Sequence, residues 1–330
     1  MLKNASIQKL KTSKNLLAFS AGGDSTALLF LLLENKISFD IAIVDYGLRL
    51  QSKEEVLYAQ DLAKTYNFNC FVHSAKKIDS NFEANARKIR YDFFETLIEK
   101  HNYTSLLTAH HLGDRFEWML MQFCKGAGAV ELVGMKEKEQ REKYEIIRPL
   151  LHLEKQELLS FLQDKDIHYF EDESNTDEKY KRNYFRTHHT KPLLHKYLSG
   201  IKKSFAYLDE DVDSLVKNVD VTKLDDFAYF TSTQSKRSDI VGIDKYLKNL
   251  GFLISANEKK QLKEQTTTLI ARKIIVNQEH GFVFIAPYTN KIKMEKMFKE
   301  KMRKLKIEPK LRAYLHTNKK VETLITSLLS

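Results

Sequence analysis

The sequence predicts an α/β protein: a doubly wound, mainly parallel sheet followed by a smaller α+β domain. Three observations carry this. Apolar runs of strand length alternate with segments of helical period from residue 16 to about residue 117, the order expected of parallel strands joined by helical crossovers. The first run passes straight into a small-residue turn and an apolar helix, LLAFSAGGDSTALLFLLL at residues 16–33. Beyond residue 230 the pattern changes to a hairpin and basic helical segments.

In chain order, residues 16–19 read as a buried strand, 20–25 as a turn and 26–33 as a buried helix. Residues 39–45 form a second strand, with a turn at Gly47 and with Arg49 and Ser52 just beyond it. A helix over 52–66 places Val56, Leu57, Ala59, Leu62 and Ala63 on one face. A third strand at 69–73 ends on His73. The helix over 81–100 has the apolar stripe Phe82, Ala86, Ile89, Phe93 and Leu97. A fourth strand at 105–109 leads into a helix opened by His110. Ile201, Phe205, Leu208, Val212, Leu215 and Val216 recur at helix spacing, so 196–230 reads as a helical connector. A helix follows within 236–249, then a hairpin over 270–287 turning at His280-Gly281. The expected domains are therefore 1–195, the connector 196–230, and a basic C-terminal domain over 231–330.

The 330 residues are 42% hydrophobic, enough for real cores. No apolar run approaches the ~18 residues of a membrane span. The two cysteines, Cys70 and Cys124, form no CxxC, which argues against a cysteine zinc site or an iron–sulfur cluster and fits a reducing cytoplasm. The net charge of +10 suits a polyanionic partner such as nucleic acid. The segment KIKMEKMFKEKMRKLKIEPK, with Met294, Met297 and Phe298 between its lysines, reads as an amphipathic helix for an RNA backbone or a membrane surface.

The turn at Ser20, Ala21, Gly22, Gly23, Asp24 and Ser25 is a natural anion pocket. Unpaired N–H groups at a helix start point at the ligand, and glycines let the backbone come close. No Lys follows, so it is not a Walker A loop, and GxGxxG is absent. A carboxylate at Asp24 beside a phosphate calls for Mg²⁺ between them. The plainer reading is a Gly-Gly turn with Asp24 as helix N-cap. Arg87 and Arg90 lie on one flank of their helix, where a solvated pairing with Glu83 and Asp92 is the plain alternative. His110, Asp114 and Glu117 cluster at a strand's carboxyl end, suited to phosphate, Mg²⁺ and an ammonium group, or simply to an acidic first turn. Arg182 and Arg186 are four apart, a face suited to phosphate, behind a loop in which Asp177 and Glu178 can cap the helix.

SAGGDS resembles the PP-loop of the N-type ATP pyrophosphatases, SGGxDS, with Ala21 at the family's second-position Gly and Gly23 at its variable position. On the family's backbone an Ala there would crowd the phosphates, with Gly23 restoring flexibility. Ala86-Arg87-Lys88-Ile89-Arg90-Tyr91 matches its A-R-x-x-R-Y stretch. The match narrows at His110-His111-Leu112-Gly113-Asp114-Arg115-Phe116-Glu117-Trp118. This resembles the H-H-x-x-D-x-x-E-T motif of tRNA(Ile)-lysidine synthetases, with Trp118 for Thr. The glycine-rich loop from Lys125 to Met135, Arg148-Pro149-Leu150-Leu151, and the 171–186 block ending Arg182-Asn183-Tyr184-Phe185-Arg186 follow in family order.

The resemblance implies a Rossmann-like PP-loop domain and an ATP- and Mg²⁺-dependent ligase acting in the cytoplasm. Its partners are free L-lysine and tRNA(Ile) with a CAU anticodon, with no membrane and with a homodimer as one option for assembly. The wobble cytidine O2 attacks the ATP α-phosphate, pyrophosphate leaves, and the lysine ε-amine then displaces AMP at C2. Residues 20–25 would bind ATP. Asp24, His110, Asp114 and Arg90 would be catalytic, Asp24 and Asp114 would hold the metal, and Glu117 and Asp114 the lysine. Arg87, Arg182 and Arg186 would bind tRNA. A cytidine thiolase of the same superfamily, or a catalytically impaired RNA-binding descendant, is the alternative.

Overall fold

The structure is a computed structural model that describes residues 1–47, 51–76, 78, 80, 82–171, 181–290 and 292–329. The chain divides into two units, Met1–Asp209 and Glu210–Ser330. Arg49 and the 172–180 part of the acidic loop, with Asp177 and Glu178, lie outside the described residues.

The first unit opens with α1 (Asn4–Lys11), β1 (Asn15–Ala18), α2 (Gly23–Glu34) and β2 (Phe39–Asp45). It continues with α3 (Gln51–Tyr66), β3 (Cys70–Ser74), α4 (Phe82–His101) and β4 (Ser105–Leu107). Then come α5 (Leu112–Phe123), α6 (Ala129–Val133), β5 (Lys138–Gln140), β6 (Glu145–Ile147) and α7 (Lys155–Asp164). After α8 (Lys181–Phe185) and a π-helical turn (Arg186–Thr190), α9 (Lys191–Leu215) carries the chain into the second unit.

Among the described residues these strands form one sheet in the order β3-β2-β1-β4-β6-β5, parallel except for β5. Side chains alternate across a strand. Leu17, Ile41, Leu107 and Ile147 accordingly join one core cluster with α2 and α7. Leu16, Ala42, Leu106 and Ile146 join another on the opposite face with Phe94, Leu97 and Ile98 of α4. A sheet buried on both faces needs apolar residues at successive positions, which is why these strands read as continuous runs. The doubly wound fold expected from the sequence is present. The strand order reverses at β1, whose neighbours β2 and β4 wind outward in opposite directions. Such a switch point leaves a crevice at the strands' carboxyl ends.

The second unit holds β7 (Thr222–Leu224), β8 (Phe227–Thr231), α10 (Lys236–Asn249), α11 (Ala256–Glu264), β9 (Thr267–Ile270), β10 (Ile274–Glu279) and β11 (Phe282–Pro287). It ends with α12 (Lys296–Lys304), α13 (Pro309–Thr317) and α14 (Lys319–Leu329). Its described strands form an antiparallel sheet ordered β7-β8-β11-β10-β9. Ile274, Val276, Val283 and Ile285 pack with α10 and α11, and Ile275, Phe284 and Ala286 with α12, α13 and α14. The β10–β11 turn has φ +57 at His280 and +76 at Gly281, as a two-residue type I′ hairpin requires. Where the sequence reads as a helical connector over 196–230, the helix ends at Leu215 and β7 and β8 already belong to this sheet. No helix among the described residues is long and apolar enough to cross a membrane.

Candidate active site

The loop after β1 is built as an anion cradle. Gly22 is the N-cap of α2 and supplies no side-chain cap, so Asp24 sits inside the first turn instead of capping it. The first helical amide bond of α2 runs from Thr26 to the Gly22 carbonyl at 3.0 Å, leaving the amides of Gly23, Asp24 and Ser25 before it at the helix start. Ser25 is buried, and its hydroxyl donates to the Gly22 carbonyl at 3.0 Å and lies 3.1 Å from Ser20 Oγ. It staples the loop, while Ser20 remains exposed.

Ala21 has φ +58 and is fully buried, with its methyl in the sheet's core cluster. The methyl thus points into the core and away from the mouth of the loop, where the sequence pattern expected it to crowd phosphates. Gly23 serves close packing: a Cβ there would lie 3.0 Å from Leu159 Cδ2 and 3.3 Å from Tyr169 Cδ2.

Across the crevice, the loop after β4 carries both histidines. Helix α5 begins only at Leu112, so His110 precedes it and the helical i, i+4 relation to Asp114 does not apply. His110 Nδ1 lies 2.9 Å from Thr108 Oγ1. Burial lowers its pKa to about 4; the Asp114 carboxylate opposes this, while Arg148, Arg182 and Arg87 add to it. The ring is therefore neutral at neutral pH.

His111 is the N-cap. Its Nδ1 accepts from the Gly113 amide at 3.0 Å, and its own amide donates to Asp114 Oδ2 at 3.0 Å. In the neutral ring the proton then sits on Nε2. That nitrogen lies 3.8 Å from Asp24 Oδ2 and 3.6 Å from Asp114 Oδ2. A Cβ at position 113 would come within 2.7 Å of the His111 ring, so the cap needs Gly113. Burial works to raise the Asp114 carboxyl, but His111, His110, Arg182 and the His111 amide outweigh it and hold it below the usual carboxylate range.

Asp114 and Glu117 form one acidic pair. Glu117 is 1% exposed. Arg186 Nε donates to Glu117 Oε2 at 2.8 Å, Arg182 Nε donates to Glu117 Oε1, and Arg182 also reaches Asp114 Oδ1 at 3.1 Å. The face expected to present Arg182 and Arg186 to phosphate turns inward onto these carboxylates. The π-helical turn starting at Arg186 follows directly on α8, which places both guanidiniums on the same pair.

Arg87 and Arg90 are both exposed on α4. Arg87 stacks over the Tyr91 ring at 4.7 Å and is among the charges acting on His110. Arg90 lies close enough to Tyr46, just past β2, to oppose the rise that burial gives its phenol. Lys155, the first residue of α7, brings Nζ to 3.5 Å from Asp24 Oδ2.

Residues 2–193 match the PP-loop domain family. The tRNA(Ile)-lysidine synthase of Helicobacter pylori 26695 is 44% identical over 312 residues, 94% of this chain and 91% of that one. The enzyme of the same name from Campylobacter jejuni RM1221 is 40% identical over 318 residues, covering 96% and 97%. The chain belongs to the tRNA(Ile)-lysidine synthase family. The U34-tRNA thiolase NcsA of Methanococcus maripaludis shares the fold, with a TM-score of 0.52, 16% identity, and coverage of 64% of this chain and 78% of that one.

Against the lysidine-synthase motifs, the structure brings together Ser20–Ser25, His110, Asp114 and Glu117 at the β1/β4 crevice. It adds two residues that sequence spacing did not single out. His111 had a signal, since His-x-Gly-Asp matches a capping box. Lys155 had none, because it reaches Asp24 from a helix far along the chain. A magnesium ion fits the donor set at Asp24. Its Oδ1 is buried with no hydrogen-bond partner, and Mg²⁺ is commonly held through one or two carboxylates plus phosphates and water. Both oxygens of Asp114 are already engaged, so Asp24 is the better ligand of the two.

Proposed function

We propose that this chain forms lysidine: it joins the ε-amine of L-lysine to C2 of the wobble cytidine in the CAU anticodon of tRNA(Ile), converting ATP to AMP and pyrophosphate. The observation that carries this reading is the meeting of two kinds of site at one imidazole. The phosphate loop's Asp24 and the acidic pair's Asp114 both face His111 Nε2.

The triphosphate lies against the first-turn amides of α2, whose dipole favours negative charge. The cytidine O2 attacks the α-phosphorus and pyrophosphate leaves. Arg90 and the loop amides stabilise the charge that develops there. His110, neutral at neutral pH, contributes a ring N–H or a proton acceptor and no net charge. Asp24 would hold magnesium, which would supply charge neutralisation for the polyphosphate.

In the second half-reaction the lysine ammonium takes the place on Asp114 and Glu117 that the two guanidiniums hold here. It loses a proton, the free amine attacks C2, and AMP leaves. Arg87 and the exposed lysines of the second unit suit the tRNA backbone. Helix α12 buries Phe298 and Met302 in its own unit's core and exposes Lys296, Lys299 and Arg303, so its apolar side is occupied and its basic side faces solvent.

The test is incorporation of labelled lysine into unmodified tRNA(Ile) with a CAU anticodon, in the presence of Mg-ATP. The methionine tRNA with the same anticodon is the control. Label in the isoleucine tRNA alone is expected. Binding of both tRNAs with no label, and no tRNA-dependent ATP–pyrophosphate exchange, would make this chain a binder instead of a ligase.

A further inference from the structure

The chain has a single tryptophan, Trp118, and it is 45% exposed. The indole is nevertheless held in place. Its Nε1–H donates to the Glu131 carbonyl at 3.3 Å. Its pyrrole edge rests on Gly134, where a Cβ would come within 2.4 Å of Cδ1. Gly134 also has φ +62, so it meets both a backbone and a packing requirement. The ring's one polar atom is thus satisfied and its orientation set before any ligand arrives, and what remains open is apolar ring surface.

Position 118 is also informative. It follows Glu117 directly and lies four residues, one helical turn, beyond Asp114, on the same stripe of α5. Lys125, which is exposed, lies two residues past the last residue of α5. The open ring therefore lies one helical turn from the acid–base cluster, and an exposed lysine follows the helix end. A protein partner would call for a contiguous apolar patch. Phe123, also exposed on α5, is five residues on and about 140° round the helix, so the two rings do not share a face, and one oriented ring matches a nucleobase.

We propose that Trp118 is a stacking platform for a base of the single-stranded anticodon loop, next to the cytidine that reacts. This rests on the RNA-ligase reading above and deepens it. The spacing along α5 separates the two roles: the reacting ring faces the Asp114–Glu117 pair, and its neighbour lies on the indole one turn away. Stacking needs only a π-face, so Trp118 contributes affinity and placement and not base identity.

The lone tryptophan makes its own emission the probe. The full-length protein is titrated with a CAU anticodon stem-loop RNA while anisotropy of a labelled copy of that RNA reports binding independently. Quenching of Trp118, and its shielding from acrylamide, are expected to saturate at the same RNA concentration as the anisotropy. Trp118→Ala should weaken binding about 5- to 150-fold, and Trp118→Phe should retain most of the affinity. The slope of affinity against salt should not change in either variant, since no phosphate contact is lost. Anisotropy that shows binding while tryptophan emission and acrylamide access stay unchanged would overturn the platform and leave the ligase reading intact. This wild-type readout does not depend on how either variant folds. An absence of RNA binding in both signals would overturn the two together.

Discussion

Nε2 of His111 stands 3.8 Å from Asp24 Oδ2, so a residue after β4 reaches the carboxylate of the loop after β1 across the sheet's switch point. The same nitrogen is 3.6 Å from Asp114 Oδ2. A ring nitrogen within 4 Å of both carboxylates can moderate their mutual repulsion. Asn is as good an N-cap as any residue but lacks the reach of the imidazole. His111→Asn should therefore keep the thermal midpoint near wild type and lower tRNA-dependent ATP–pyrophosphate exchange by about 100-fold. Exchange at the wild-type rate would reduce His111 to a helix cap.

Glu117 offers a split between the two half-reactions. It is buried against two guanidiniums, and Gln keeps the shape while removing the charge. Glu117→Gln should cost about 1–3 kcal/mol of stability, as a charge-assisted bond becomes a neutral one. KM for lysine should rise by at least about tenfold, while the exchange reaction, which does not need lysine, stays within about threefold of wild type. An equal fall in both activities would assign Glu117 to adenylation or to the fold alone.

His110 gives the protein a pH signature. The folded ring takes its proton only near pH 4, whereas the unfolded one takes it near 6.5. Between those values the unfolded chain binds more protons, so stability falls as pH drops. The contribution is complete above pH 6.5 and lost by about pH 4, on the order of 3 kcal/mol for this displacement. Asp114 does not confuse the window, since its carboxyl is held below its ordinary value of 3.8. Urea midpoints followed from pH 7 to 4 should fall more steeply in the wild type than in His110→Asn. Parallel curves would show that the ring stays accessible to protons in the folded state.

The parallel sheet was legible in the sequence because its strands are buried on both faces. Leu16 and Leu17 enter different clusters, so an uninterrupted apolar run is what the fold requires. β5 and β6 were not legible. They are three residues long, and Lys138–Gln140 has no apolar residue to betray it. In the second unit β7 likewise escapes notice behind a polar sequence, Thr-Lys-Leu. At the site, motif spacing located Asp24, His110, Asp114 and Glu117 because each lies within one local segment. It did not show that Arg182 and Arg186 pair with Asp114 and Glu117. Spacing alone says that two side chains share a face, and only the tertiary fold says what that face meets.

Ala21 is the residue whose departure from the PP-loop pattern bears most directly on rate. Its φ of +58 costs a residue with a Cβ about 1–2 kcal/mol relative to Gly. Against this, its methyl is fully buried, a gain of about 0.8 kcal/mol, and Ala restricts the unfolded chain by a further ~0.4–1 kcal/mol. These effects nearly cancel, so Ala21→Gly should change stability by less than about 1 kcal/mol. The backbone would be kept in place by the Phe170 amide, which donates to the residue 21 carbonyl at 3.0 Å. Because the methyl lies in the core and not in the loop's mouth, adenylation should stay within about threefold of wild type, less than one catalytic hydrogen bond contributes. Ala21→Val adds a β-branched side chain in the same left-handed conformation and overfills the core, and it should lose at least about 3 kcal/mol. Chemical denaturation and ATP–pyrophosphate exchange on both variants decide the matter. A tenfold gain in exchange for Ala21→Gly would mean that the methyl does obstruct the phosphates, and the inward placement of Ala21 would then not describe the ATP-bound loop.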